Sequence, residues 1–173
     1  MKRIISLCAA AVLCLSLLSA CGGPREDSPS VAPGKAADLA AFAQAVQEKH
    51  TFHSLERQDP EDEEIGVIVL GNYYPGLTDL ELEQAEIYMP MISFSGGELA
   101  LVQAKNEEDA AKVKEIFQAR LDSKTTDGPG NYPEEVEMWQ KYAKVAVANG
   151  TYVMLVNHED ADAIVEEFEA LFE

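Results

Sequence analysis

The chain has 173 residues, with 13 Lys or Arg against 31 Asp or Glu and a formal net charge of −18. A protein of that charge is repelled by nucleic acid and by anionic lipid surfaces, so neither is expected as a partner of the folded part. The excess of acids is typical of a solubilising surface. The length suits one domain that buries its own core.

The N-terminal residues resemble a bacterial lipoprotein signal peptide. Lys2 and Arg3 form a basic start, residues 4–20 are an apolar run, and small residues precede Cys21. A spanning helix needs about 20 apolar residues and a basic cluster after it, and this run has neither. We therefore predict a signal peptide over residues 1–20, cleavage before Cys21, and a diacylglyceryl lipid on Cys21. Its two acyl chains, palmitate among them, suffice for stable anchoring.

This anchor predicts the location and organisation of the mature chain. The protein is expected on the outer, extracytoplasmic face of the cell membrane, attached only through the lipid at Cys21. Residues 21–36 are predicted to be the lipidated cysteine and a disordered tether rich in Gly, Pro and Ser, and residues 37–173 a single α+β domain. Cys8 and Cys14 leave with the signal peptide, so neither disulfides nor thiolate sites are expected.

The folded part is predicted to begin with a helix. Over residues 37–49, Leu39, Phe42 and Val46 recur at helical spacing. Residues 59–64 then have the form of a helix start, with an Asp cap and Pro at the first position, which predicts a short helix over 60–70. Because residues 65–70 are apolar and partly β-branched, a strand there is the competing interpretation.

A first hairpin and two helices follow. Residues 86–92 and 98–105 flank a turn that contains Ser and Gly, and Pro90 indicates that the first of these strands lies at the edge of the sheet. Asn106 is a helix cap before the apolar stripe of a helix over 107–121. After a loop over 124–131, Pro133 begins a helix that extends to about residue 143.

A second hairpin is predicted over 144–148 and 151–156, because Asn149-Gly150 is the preferred pair for a type I′ turn. A last helix covers 159–172. The predicted fold class is therefore α+β, with an antiparallel sheet of about four strands in two hairpins and helices packed on it. Both sheet faces carry apolar residues, so we expect helices 107–121 and 159–172 on one face, and 37–49 and 132–143 on the other.

The two hairpins are followed by similar sequences. Asn106-Glu107-Glu108-Asp109-Ala110 resembles Asn157-His158-Glu159-Asp160-Ala161, and each stretch comes after a predicted strand pair. One interpretation is an internal ββα duplication. The other is convergence, because Asn-x-Glu-Asp is a favourable start for any capped helix.

Several short motifs also resemble a known family. They are Glu98 followed by Leu-Ala-Leu-Val, Arg120-Leu121, Tyr132-Pro133-Glu134 and the Asn-Gly-Thr-Tyr-Val of residues 149–153. Over roughly residues 35–172 the chain is similar to an uncharacterised lipoprotein family of Gram-positive bacteria, the domain of unknown function 4358. The resemblance implies a lipidated cysteine and no established activity, and it transfers no catalytic or ligand-binding residue.

Metal and cofactor chemistry is not predicted. If the first helix continued past residue 49, His50, His53 and Glu56 would align for zinc, but exposed histidines at a helix end explain the same pattern. His158 is expected to be exposed. The acidic run 59–64 lacks the alternating ligands and central glycine of a calcium loop. The metal and cofactor predictions are therefore none.

Function is predicted only in outline. No standard catalytic motif is present, and no catalytic residue is assigned. Tyr73 and Tyr74 are the candidate contact for a ligand or partner, either an envelope protein or a small molecule. The chain is interpreted as a non-enzymatic binding or cell-envelope accessory module. The alternative is a carboxylate-dependent hydrolase acting on cell-envelope or extracellular material, which should show a deep pocket with convergent acids.

Overall fold

The computed structural model describes residues 36–62, 66–90, 97–126 and 131–173. The signal peptide, Cys21, most of the predicted tether and the turn over 93–96 lie outside the described residues. In chain order the elements are α1 (Leu39–Lys49), β1 (Leu55–Gln58), α2 (Gly66–Tyr73), a 3₁₀ turn (Leu77–Asp79), β2 (Leu82–Pro90), β3 (Glu98–Ala104), α3 (Glu107–Thr125), α4 (Pro133–Tyr142), β4 (Lys144–Ala148), β5 (Tyr152–Asn157) and α5 (Ala161–Ala170). None of the helices in the described ranges is long and apolar enough to cross a membrane.

The fold is α+β, as predicted, and its sheet has five antiparallel strands in the order β1-β2-β3-β5-β4. Both predicted hairpins, β2–β3 and β4–β5, are present and meet at the central β3–β5 pair. Strand β1 was not predicted from the sequence. It covers the outer side of β2, so the prediction that β2 lies at an edge was wrong. Pro90 is tolerated because it is the last residue of β2, opposite Leu55.

Strand β1 is held mainly by its partner strand. Its sequence, Leu-Glu-Arg-Gln, has little intrinsic preference for a strand. Arg57 forms a two-bond ion pair across the sheet with Glu86, at 2.8 Å from Nε and 3.0 Å from Nη2. Because this geometry fixes both side chains, it stabilises the pairing of β1 with β2, although the sequence of β1 itself has little preference for a strand.

Apolar residues on both sheet faces are covered by helices, as expected, but the helix pairs differ from the prediction. Helices α1 and α5 cover one face, and α2, α3 and α4 cover the other. The first face carries Leu99, Leu101, Tyr152, Met154 and Val156. The second carries Ala100, Val102, Ala104, Val153 and Leu155. Helices α1 and α5 share a face because Phe42 and Phe168 pack together, with ring centroids 5.9 Å apart.

Helix α2 resolves the choice that the sequence left open. Residues 66–73 are helical, so the strand interpretation was wrong. The helix begins later than the predicted residue 60, because residues 60–61 form a turn, and the backbone carbonyl of Asp62 accepts a bond from the Val67 N–H at 2.9 Å. It also extends past residue 70 to Tyr73. Leu70 in this helix and Tyr74 directly after it are both buried against the second sheet face.

The two similar Asn-containing stretches are not structurally equivalent. Asn106 caps α3 and accepts a bond from the Asp109 N–H at 2.9 Å. Asn157 instead ends β5 and is fully buried, and α5 begins only at Ala161. A duplicated ββα unit would relate the adjacent antiparallel strands β3 and β5 by a two-fold axis perpendicular to the sheet. Such an axis would place α3 and α5 on the same face, but they lie on opposite faces. The arrangement favours convergence over duplication.

The turn between β4 and β5 matches its prediction, with φ of 46° at Asn149 and 72° at Gly150. A Cβ on Gly150 would also lie 2.7 Å from Oε1 of Glu107. Replacement of Gly150 by Ala is therefore expected to lower the free energy of unfolding by about 1–2 kcal/mol, measured by urea denaturation.

Gly71→Ala is the matched control. Gly71 lies within α2, and a Cβ there would meet no atom within 4 Å. Because alanine favours helix over glycine by about 1 kcal/mol, this variant is expected to be neutral or more stable. Equal losses in both variants would contradict the assigned role of the turn.

Candidate functional site

A pocket of about 530 Å³ opens beside the junction of β2 and β3, between β1, α2, α3 and α4. Its wall combines charged and aromatic side chains. The residues used below are Tyr73, Glu98, Arg120, Lys124, Glu135 and Trp139.

The deepest polar group of the pocket is Glu98, which is 1% exposed. Its carboxylate accepts bonds from Arg120 Nε at 3.0 Å and Nη2 at 2.7 Å, and a third from the Tyr74 hydroxyl. The sequence produces this contact because Glu98, two residues before Ala100 in β3, points to the same sheet face and therefore toward α3. Arg120 continues the buried stripe of α3, three residues after Phe117.

Three aromatic rings surround the guanidinium of Arg120. Its carbon lies 4.8 Å from the ring centroid of Tyr73, 5.3 Å from that of Trp139 and 5.9 Å from that of Tyr74. Burial acts to lower the pKa of Arg120, but the Glu98 carboxylate more than offsets this effect, so the pKa is raised. Burial, followed by the charge of Glu98, raises the pKa of Tyr74 well above its ordinary value. The arginine therefore stays charged and the tyrosine stays a hydrogen-bond donor.

A second buried ion pair lies in the same wall. Lys124 Nζ is 2.6 Å from Oε1 of Glu135, and Glu135 is only 7% exposed. The other oxygen of this carboxylate, Oε2, is buried and accepts no hydrogen bond within the described part of the chain. A carboxylate oxygen can only accept, and leaving it unpaired in a buried site costs about 1–3 kcal/mol or more.

Tyr73 and Tyr74, the predicted contact residues, are in different environments. Tyr73 is 44% exposed and lines the pocket. Tyr74 is fully buried and bonded to Glu98. Contact between a ligand and these tyrosines stays a prediction, and the exposed face of Tyr73 is where the structure makes it accessible.

The structure does not bring together the three residues that would align for zinc on a longer first helix, His50, His53 and Glu56. Helix α1 ends at Lys49, after which His50 is buried while His53 and Glu56 are exposed. The expectation that His158 is exposed was wrong, because its ring packs on Phe52, with centroids 4.4 Å apart. Instead, His50 and His158 lie with Asp160 in a cluster whose candidate ligand atoms are within 4.8 Å of one another.

The sequence interpretation missed the charged residues of the pocket. Two signals were available. Arg120 interrupts the apolar stripe of α3, and Glu98 begins a strand that is otherwise apolar on the same face. Charged residues at core positions are rarely buried unless they are paired. Lys124 and Glu135 gave no such signal, since Lys124 was predicted to begin a loop, although α3 extends to Thr125, and Glu135 resembles an ordinary exposed helix residue.

Glu98→Gln should remove the counter-charge of Arg120 while leaving the guanidinium buried. We expect the free energy of unfolding to fall by about 3–5 kcal/mol, measured by urea denaturation. Glu81→Gln is the control, because Glu81 and its partner Lys105 are both exposed, and the loss there should stay below about 1 kcal/mol. The triple variant Glu98→Leu, Arg120→Met, Tyr74→Phe should recover much of the loss, because it removes the buried charges and the hydroxyl that Glu98 accepts from. Similar effects of Glu98→Gln and Glu81→Gln would contradict the importance of the buried pair.

Comparison with known proteins gives one match. The family model described as Domain of unknown function (DUF4358) matches residues 63–158, from the segment before α2 to the residue after β5. This is shorter than the similarity over 35–172 expected from the sequence, and it includes the six pocket residues named above. No curated protein and no solved structure matches the chain. Because the matched residues make up just over half of the sequence, the chain belongs to the family of the Domain of unknown function (DUF4358).

Proposed function

We propose that this protein is a non-enzymatic binding module, anchored by a lipid at Cys21 to the outer face of the membrane of a Gram-positive bacterium. Its ligand site is the pocket lined by Arg120, Lys124 and Glu135. The anchor rests on Lys2, Arg3, the apolar run and Cys21 in the sequence. The bacterial origin rests on the family resemblance.

The observation that carries the binding role is the buried Oε2 atom of Glu135 in the pocket wall, which has no hydrogen-bond partner among the residues that the structure describes. A ligand that presents an N–H or O–H group would satisfy this acceptor. The surroundings suit a small polar molecule, because Tyr73 offers an exposed aromatic face and the buried charges of Glu98, Arg120, Lys124 and Glu135 are held in two ion pairs. The supported ligand class is therefore a small hydrogen-bond donor, such as an amino acid or a sugar.

The hydrolase alternative is supported by the five carboxylates that line one pocket, of which Glu98 and Glu135 are the two buried ones. Both oxygens of Glu98, however, already accept bonds from Arg120, and one also accepts from Tyr74. A carboxylate that accepts three hydrogen bonds inside an ion pair is fixed in place and poorly suited to act as a nucleophile or general acid. Within the described residues, the one buried carboxylate oxygen of the pocket without a partner belongs to Glu135, which fits binding better than two-carboxylate hydrolysis.

The binding proposal is tested by thermal denaturation with separate panels of amino acids, amino sugars and neutral monosaccharides. At least one panel member should raise the melting temperature of the wild-type chain and leave Glu135→Gln unchanged, since the amide reverses the polarity of part of the acceptor. Glu137→Gln is the matched control on the exposed side of α4 and should respond like wild type. If no member shifts the wild-type protein, the proposed ligand class is wrong.

The anchor is tested by cell fractionation of Cys21→Ser. We expect this variant to be released from membranes, or to remain as uncleaved precursor, because the acceptor of the lipid is lost. Its folded part should give the same circular dichroism spectrum as the wild type. Processed Cys21→Ser protein that stays in the membrane fraction would contradict the proposed attachment.

A further inference from the structure

A second polar cluster connects the end of α1 with the start of α5, on the sheet face opposite α3. It contains His50 directly after α1, and His158 and Asp160 just before α5. Both histidines are more than nine-tenths buried, with exposures of 6% and 8%. His50 and Asp160 lie outside the residues matched by the family model.

The contacts of His158 indicate which of its ring nitrogens carries a hydrogen. Its Nε2 lies 3.2 Å from the backbone carbonyl of Thr51, which can only accept, so Nε2 carries a hydrogen. Its Nδ1 accepts a bond from the Asp160 backbone N–H at 3.0 Å. This pattern places a hydrogen on Nε2 and directs the Nδ1 lone pair at the Asp160 segment, where it accepts the backbone N–H.

His50 lies between two carboxylates. Its Nε2 is 3.2 Å from Oε1 of Glu167, and its Nδ1 is 2.9 Å from Oδ2 of Asp160. Lys49 Nζ lies 2.5 Å from the same oxygen of Glu167, so this carboxylate is an acceptor for both neighbours. If the single hydrogen of the ring is on Nε2 and donated to Glu167, then Nδ1 has no hydrogen and its lone pair points at the Asp160 carboxylate. A contact of 2.9 Å between two lone pairs requires a cation between them, either a proton or a metal ion.

We propose that this cation is Zn²⁺, bound by His50, His158 and Asp160. Two imidazole nitrogens and a carboxylate oxygen are ligands that zinc prefers, and three protein ligands leave a fourth position for water. Histidines that bind metal generally donate their other N–H to a carboxylate or a backbone carbonyl. Glu167 and the Thr51 carbonyl occupy those positions for His50 and His158.

The ion would replace the hydrogen bond from the Asp160 N–H to His158 Nδ1, and Oδ2 of Asp160 would shift toward His158. Oδ2 of Asp160 lies 2.9 Å from His50 Nδ1 and 4.0 Å from His158 Nδ1, whereas ligands around zinc are separated by roughly 3.3 Å at bond lengths near 2 Å. Asp160 is 53% exposed, so its side chain is free to move between the two rings. The net charge of −18 attracts divalent cations to the whole molecule.

The test is zinc titration of the full-length chain in detergent, without a histidine tag and with Cys8, Cys14 and Cys21 replaced by serine so that no thiolate competes. Calorimetry should show one strongly bound Zn²⁺ per chain. Zinc should raise the melting temperature by several degrees and a chelator should reverse the rise. Asp160→Asn and His158→Gln should each weaken binding at least tenfold. Glu167→Gln, which only orients His50, should weaken it about 10- to 100-fold.

Two matched controls separate this site from general attraction to an acidic surface. His53→Gln changes the exposed histidine, and Asp162→Asn changes a carboxylate that is 87% exposed in the first turn of α5. Both should keep wild-type zinc affinity. Circular dichroism of each variant confirms folding, and Asp160→Asn keeps the assay informative if His158→Gln does not fold.

Two outcomes would overturn the proposal. The first is wild-type zinc affinity in both Asp160→Asn and His158→Gln. The second is a wild-type chain that shows no zinc binding by calorimetry and no change of melting temperature with zinc. That result would assign the cation to a proton on His50, held by Asp160 and Glu167 with Lys49 beside them.

Discussion

The central strands β3 and β5 are buried on both faces of the sheet. A strand of this kind has no side that can face water, so each face requires its own layer of helices. Helices α1 and α5 satisfy one face, and α2, α3 and α4 satisfy the other. Any charged group on these strands must then find a partner inside the protein, because solvent cannot reach it. Glu98, at the start of β3, is in this position, and Arg120 meets the requirement from α3.

The polar wall of the pocket follows from that requirement. A buried ion pair adds little net stability compared with apolar residues of similar volume, so its effect here is to fix geometry. Two bonds to Glu98 and contacts with three aromatic rings hold the guanidinium of Arg120 in one orientation. Lys124 holds one oxygen of Glu135 in the same wall, and the other oxygen accepts no hydrogen bond from any residue in the described ranges. A ligand would therefore meet polar groups that are already ordered, which lowers the entropy cost of binding.

Much of this architecture could be predicted from local sequence, where the signal and the final structure depend on the same few residues. The Asn149-Gly150 turn, the Asn106 cap and the apolar stripe of α3 are examples. Strand β1 could not be predicted, because pairing with β2 stabilises it and its own composition does not. The pairing of α1 with α5 likewise depends on contacts between residues far apart in the chain. For the site, Glu98 and Arg120 were visible as charges at core positions, while the meeting of His50 with Asp160 required the complete fold.

The side-chain amide of Gln84 has a mechanical consequence. Its Oε1 accepts from the Leu39 N–H at 3.0 Å, and its Nε2 donates to the Ala37 carbonyl at 2.9 Å, which binds the chain before α1 to strand β2. The Ala37 N–H also donates to the Tyr152 hydroxyl on β5, at 3.2 Å. A pulling force that enters from the N-terminal side is therefore shared between two strands before α1 bears it. Helix α1 would separate from the sheet only after these three bonds had broken. The apolar residues between α1 and the sheet are therefore protected from a force applied to the N-terminal segment.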